Sequence, residues 1–112
     1  MEKVTGEQLS EKFGMIFQEY RRKKDITQER LAEELSKSTK TISQLETGKD
    51  GTSKITDINL MNYLGIMPNT LYKDFISNTE LKQKLELSEK INNLSSEKTQ
   101  AISEIIDIIE KI

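Results

Sequence analysis

A short predicted helix between residues 39 and 47 carries polar side chains along one side. At about 100° per residue, Ile42 and Leu45 point to one face of this helix. The opposite face carries Lys40, Ser43, Gln44 and Thr47, with Thr39 at its edge. Lysine and glutamine can read purine edges in a major groove, and serine and threonine reach phosphates or the thymine methyl group. The face therefore suits DNA reading, although any surface helix has a polar side.

Two short helices joined by a tight turn must position this face. Thr27 is a good N-cap, and residues 28–35 contain no glycine, proline or β-branched residue. Ser38 can cap a second helix over residues 39–47, and Gly48 can end it in a left-handed conformation. The sequence therefore predicts a helix, a turn and a second helix.

This arrangement resembles the helix-turn-helix of the XRE family, the Cro and phage-repressor type of transcription regulator. The resemblance covers roughly residues 9–76 and rests on Gln28, Leu31, Ala32, Ile42, Leu45, Glu46, Gly48 and Lys49. It implies an all-α chain, in which a five-helix, lambda-repressor-like DNA-binding domain precedes a C-terminal helical hairpin for oligomerisation. Ser36 stands where the family has a glycine in the turn, and a left-handed residue other than glycine costs about 1 kcal/mol.

The resemblance also assigns roles to residues. The second motif helix becomes the recognition helix, and the residues expected to read bases are Thr39, Lys40, Ser43, Gln44 and Thr47. The residues expected near DNA phosphates are Gln28, Ser38, Lys49, Thr52, Ser53 and Lys54, whereas Asp50 argues against very close approach. Arg21 and Glu46 are expected to form a largely buried structural ion pair, because a buried carboxylate needs such a partner.

Apolar spacing outlines the rest of the chain. We expect a flexible N-terminal arm over residues 1–8, the DNA-binding domain over 9–77 and an interaction segment over 78–112. The pattern that predicts the first helix is Leu9, Phe13, Ile16, Phe17 and Tyr20. The pattern that predicts the buried face of the fourth helix is Ile55, Ile58, Met61 and Leu64, with Leu60 and Tyr63 beside them.

The last helix carries an isoleucine-rich stripe. The residues expected to form a dimer interface are Ile102, Ile105, Ile106, Ile109 and Ile112. Packing within one chain, against residues 80–94 and the fifth helix, is the alternative. We favour a hairpin that joins two copies, because the rest of the sequence offers little apolar surface to cover the stripe.

Composition narrows the function classes. The 112 residues include no cysteine and no histidine, which excludes the common zinc sites, thiol catalysis and a Ser-His-Asp triad. No metal, cofactor or enzymatic activity is expected, since the acidic residues are spread along solvent-facing helix positions and no phosphate-binding glycine loop is present. No long apolar run is present, so we expect a cytoplasmic chain with no membrane partner.

Net charge is −2, which is low for a DNA-binding protein, but the charges are unevenly distributed. Residues 10–54 carry ten basic and eight acidic side chains, whereas residues 55–112 carry six basic and nine acidic ones. Phosphate neutralisation should therefore be modest. We expect a sequence-specific transcriptional regulator, a repressor that binds a palindromic operator in double-stranded DNA as a homodimer. The alternative is an antitoxin or phage-switch protein whose C-terminal helices bind a different protein, such as an antagonist.

Overall fold

Helices make up most of residues 3–112, the part of the chain that this computed structural model describes. Within that part there are seven α-helices, one 3₁₀ turn and no strand. The helices are α1 (Gly6–Lys23), α2 (Gln28–Glu34), α3 (Thr39–Glu46), α4 (Lys54–Leu64), α5 (Pro68–Tyr72), α6 (Thr79–Asn92) and α7 (Ser96–Glu110), with the 3₁₀ turn (Lys73–Phe75) after α5. The prediction of an all-α chain is confirmed.

The chain divides into two compact units, Met1–Phe75 and Ile76–Ile112. The first unit contains α1 to α5, and the second contains α6 and α7. The domain boundary expected after residue 77 lies two residues beyond the observed division.

The first helix begins earlier than the sequence pattern indicates. Thr5 is its N-cap, and the Thr5 hydroxyl and the Gln8 amide form a reciprocal capping box. Residues 6–8 are therefore helical, and the predicted flexible arm over residues 1–8 is wrong for them. Met1 and Glu2 lie outside the described residues. The apolar pattern missed this first turn because its residues are polar or glycine and are exposed.

One aliphatic and aromatic core holds the first unit together. Its fully buried side chains come from all five helices and are Phe17, Leu31, Ile42, Leu60, Leu64 and Leu71. Each contributes roughly 1.5–3 kcal/mol relative to an exposed position. Phe13 extends the core through edge-to-face contacts with Phe17 and Tyr72, at centroid distances of 6.3 and 5.0 Å. The core thus ties α3 to the four helices around it.

The buried face of α4 matches the predicted one at Leu64 and in part at Met61, but not at Ile55 and Ile58. Thr56, Leu60 and Leu64 are buried, whereas Ile55 and Ile58 are 72% and 53% exposed. Residues at i, i+4 and i+8 share one face of a helix, and this face includes both leucines. The buried Thr56 hydroxyl is satisfied by Ser53 Oγ at 3.0 Å, so its burial carries no unpaired polar group.

The second unit lacks a core of its own. Asn78 caps α6 and Ser95 caps α7, through the backbone amides of Leu81 and Lys98. Neither helix contains a buried residue. Among the described helices, none is long and apolar enough to span a membrane.

Candidate nucleic-acid interface

The turn between α2 and α3 keeps the geometry that a glycine would give. Ser36 has a φ of 54°, in the left-handed region. The backbone amide of Lys37 donates to the Ala32 carbonyl at 2.8 Å and closes the turn. Ser38 then caps α3, its Oγ accepting from the Thr41 amide at 3.1 Å. The turn is therefore formed without its glycine, at a cost of about 1 kcal/mol.

Arg21 holds the C-terminal end of α3 to α1. Its Nε donates to Glu46 Oε2 at 2.6 Å, and its Nη2 donates to Glu46 Oε1 at 3.0 Å. Nη1 donates to the Ile26 carbonyl at 2.8 Å. Both residues are buried, and both carboxylate oxygens accept bonds. The ion pair expected from the sequence is present, and its geometry is the bidentate one that makes arginine pairs strong.

Gln28 joins the same network. Its Nε2 donates to Glu46 Oε1 at 3.0 Å, which links the start of α2 to the end of α3. The residue is half-buried. One amide hydrogen of Gln28 is therefore engaged within the protein. Its expected phosphate contact stays a prediction, and only the second hydrogen and the amide oxygen remain for it.

The polar face of α3 is open in part. Lys40 and Thr47 are exposed, Thr39, Ser43 and Gln44 are half-buried, and Ile42 and Leu45 face the core. Within the described part of the chain, the side chains of Lys40, Ser43 and Gln44 make no hydrogen bond or ion pair. These groups keep their full capacity to donate and accept.

Thr47 differs from its neighbours on that face. Its hydroxyl donates to the carbonyl oxygens of Ser43 and Gln44, both at 3.1 Å. This back-bonding is a common alternative for a helical threonine, and it leaves the hydroxyl free only to accept. Thr47 is the base-reading candidate with the least remaining hydrogen-bond capacity.

The hydroxyls expected near phosphates are also engaged within the protein. Ser38 caps α3 and lies 2.8 Å from the Thr41 hydroxyl. Ser53 caps α4, and the Thr52 hydroxyl donates to the Asp57 carboxylate. Lys49 and Lys54 are exposed, and within the described residues neither forms an ion pair. Of the side chains expected near phosphates, the two lysines are therefore the ones least engaged within the protein.

Asp57, in the first turn of α4, also belongs to this region, although the sequence did not predict it. Partial burial raises the pKa of its carboxyl, and the hydrogen bond from Thr52 opposes that rise. The bond ties the loop between α3 and α4 to the first turns of α4. The only signal in the sequence is a threonine five residues before an aspartate, which is too common to single out.

Four of the five residues expected to form a dimer interface lie on α7, and Ile112 follows the end of that helix. Ile105, Ile106, Ile109 and Ile112 are exposed, and Ile102 is half-buried. Ile105, Ile106 and Ile109 lie three, four and seven positions after Ile102, so these four form a stripe on one side of α7. Among the described residues, little covers this stripe.

Comparison with known families supports the geometry of the motif. Residues 17–69 match the model of a family described as Helix-turn-helix. The match runs from within α1 to the start of α5 and includes the whole of α2, α3 and the turn between them. Comparison with curated proteins and with solved structures yields no significant match.

Proposed function

Residues 17–69 form an XRE-type helix-turn-helix domain, and from this premise we propose that the protein is a sequence-specific transcriptional repressor that binds a palindromic operator as a homodimer. The family implies a DNA-binding transcription regulator. The observation that supports sequence-specific binding is the free polar face of α3. Among the described residues, Lys40, Ser43 and Gln44 have no side-chain partner there, while the Arg21–Glu46 pair and the core hold the opposite side of the helix.

Base reading follows from the chemistry of the free side chains. Lys40 can donate to the O6 and N7 atoms of guanine, and Gln44 can form two hydrogen bonds with adenine. The two residues are four positions apart and therefore share one face of α3. Lys49 and Lys54, just after the helix, would fix the register of the domain on the phosphates. Repression then requires no catalysed reaction, because promoter DNA that the protein occupies is unavailable to the polymerase.

Dimerisation would compensate for the small number of cations near the motif. Each phosphate neutralised contributes to affinity, and one domain offers few such contacts. Two copies joined through the α7 stripe would double them and cover the exposed isoleucines. The recognition helices of the two copies would enter successive major grooves, roughly 34 Å apart. We place this activity in the cytoplasm, with the DNA that the protein binds.

A second candidate follows from the same stripe. The C-terminal helices would bind a different protein, an antagonist or a toxin, and DNA binding would be regulated through that partner. Mass measurement of the pure chain separates the two ideas. A stable homodimer supports the first, and a monomeric or aggregating chain supports the second.

Selection of bound fragments from random double-stranded DNA tests the proposal. The full chain should enrich an inverted repeat whose half-sites are about 10 base pairs apart, centre to centre. A variant with Lys40→Ala and Gln44→Ala should lose that enrichment, while Lys90→Ala, an equal loss of charge on α6, should keep it. Enrichment of the same sequence by all three proteins would contradict the assignment of α3 as the base-reading helix.

A further inference from the structure

A cavity of about 300 Å³ opens beside the C-terminal end of α3, among α1, the loop after α3, α4 and α5. Buried Phe13, Phe17 and Leu45 give it an apolar lining, and the exposed ring of Tyr72 completes that lining. Its volume lies at the lower end of the range for small-molecule sites, and apolar walls with a few polar groups are typical of them.

The charged groups that line the cavity are both acidic. Asp50 and Asp57 line it together with the hydroxyl-bearing Ser10 and Thr52. Among the described residues that line it there is no lysine or arginine. A half-buried carboxylate such as Asp57 gains most from a donor or a cation that enters beside it. The cavity therefore favours a positively charged ligand over a neutral or an anionic one.

We propose that this cavity binds a small organic cation, a primary ammonium group on an aromatic or branched apolar body, and that the bound cation strengthens DNA binding. The ammonium group would donate to the carboxylates of Asp57 and Asp50. The apolar body would pack against Phe13, and the ring of Tyr72 offers a cation–π contact at the same site.

The coupling to DNA follows from the position of the cavity. Asp50, Gly51 and Thr52 belong to the loop that also carries Lys49 and leads to Lys54. A cation beside Asp50 and Asp57 neutralises negative charge next to the proposed phosphate contacts, and it holds the loop in one conformation. This step rests on the proposed function, and a coupling of about fivefold or more in DNA affinity is typical of such linkage.

Binding can be tested on the full chain without DNA. Phenethylamine is the probe, with 2-phenylethanol and phenylacetate as comparators of similar size, followed by amide chemical shifts in ¹⁵N-labelled protein. We expect saturable shifts at Ser10, Gly51 and Thr52 with the amine, weaker shifts with the alcohol and none with the acid.

Variants locate the site. Asp57→Asn and Asp50→Asn should each weaken amine binding, by about tenfold for the half-buried Asp57. Ser10→Leu should block the cavity, and Glu7→Gln, a carboxylate loss on the same helix outside the cavity, should leave binding unchanged. Equal shifts with all three compounds, or full binding by Asp50→Asn and Ser10→Leu, would overturn the proposal.

The effect of the bound amine on DNA affinity is measured in a separate experiment. Saturating phenethylamine should raise the affinity for a selected DNA site about fivefold or more in the unsubstituted chain, and it should have no such effect in Asp50→Asn. Tight DNA binding that the amine leaves unchanged would overturn the cation proposal and leave the proposed function intact. A chain that binds the amine but selects no DNA would refute the proposed function instead, and with it the strengthening of DNA binding.

Discussion

Gly14 lies against the C-terminal end of α3 so closely that a Cβ atom added to it would be 2.4 Å from the carbonyl oxygen of Leu45. The same added atom would be 2.9 Å from the carbonyl oxygen of Glu46. Both neighbours are backbone atoms, which cannot move without displacing the helix. The approach of α1 to α3 at this point therefore requires glycine and fixes the depth at which α3 sits on the first unit.

Replacement of Gly14 by alanine should destabilise the first unit. Overpacking against backbone typically costs 1–3 kcal/mol, and the better helix propensity of alanine recovers up to about 1 kcal/mol. We expect a net loss of roughly 1–2 kcal/mol in the free energy of unfolding by urea denaturation. Gly6→Ala is the matched control, because nothing lies within 4 Å of an added Cβ there. Equal stability of the two variants would contradict the close packing.

Removal of one partner of the buried ion pair should cost far more than removal of both. Arg21→Met leaves the Glu46 carboxylate buried without its cation, which typically costs about 3–5 kcal/mol. The double variant Arg21→Met, Glu46→Leu should recover much of that loss, since well-packed apolar residues often replace a buried pair without penalty. Thermal and urea unfolding of the unsubstituted chain, the two single variants Arg21→Met and Glu46→Leu and the double variant measure the coupling. Additive losses would indicate that the two side chains act independently.

Base contacts and phosphate contacts should respond differently to substitution. Gln44→Ala should relax preference at one base pair of each half-site by about 1–3 kcal/mol. Lys49→Ala should weaken binding to all sequences alike and reduce the slope of log affinity against log salt by about 1 per domain. Titrations of selected and scrambled DNA at several salt concentrations distinguish the two. A uniform loss in Gln44→Ala would place that residue among the phosphate contacts.

The isoleucine stripe should govern association. The double substitution Ile105→Asp, Ile109→Asp places two charges in the proposed interface, so the full chain should become monomeric by sedimentation or native mass measurement. Deletion of residues 79–112 should likewise give a folded monomer with poor operator affinity. Ile55→Asp on α4 is the control, since that side chain is more exposed still but lies outside the stripe. A truncated chain that remains dimeric would refute a C-terminal interface.

Acid should weaken the contact between α1 and the 3₁₀ turn. Lys12 Nζ lies 2.8 Å from Asp74 Oδ2, and this hydrogen bond lowers the pKa of Asp74 from its ordinary value of 3.8. The stabilisation is thus present above that value and is lost as pH falls through the lowered pKa of the folded state. Asp74→Asn should be less stable at neutral pH, by less than about 1 kcal/mol because both groups are well exposed. The difference should vanish at low pH in urea unfolding, and Glu80→Gln on α6 controls for loss of a surface carboxylate.

Local chemistry made the helix ends predictable. Thr27 and Ser38 cap α2 and α3 because each hydroxyl needs only the amide three residues along the chain. The Arg21–Glu46 pair was accessible through the family resemblance, although its two residues are 25 positions apart. The start of α1 was not found from apolar spacing, because its first turn is stabilised by a capping box and buries little.

Choices between competing tertiary contacts were not predictable. Apolar residues of α4 can form more than one face, and only docking on the core selects Leu60, together with the predicted Leu64, over Ile55 and Ile58. The Thr52–Asp57 bond depends on the path of the loop after α3, which the sequence does not determine locally. Base reading, phosphate binding and dimerisation stay predictions.

Because several hydroxyls of the motif form hydrogen bonds within the protein, its positions differ in how well they tolerate substitution. Ser38, Thr47 and Ser53 serve the scaffold, and Glu46 and Gln28 bind each other, so substitutions there disturb folding as well as any contact with DNA. Among the described residues, the side chains of Lys40 and Gln44 form no hydrogen bond or ion pair that stabilises the scaffold. If Lys40 and Gln44 read bases as proposed, stability and target choice are carried by different positions in and around the eight-residue helix α3. A library randomised at those two sites alone would then redirect the protein to new sequences and leave its scaffold contacts intact.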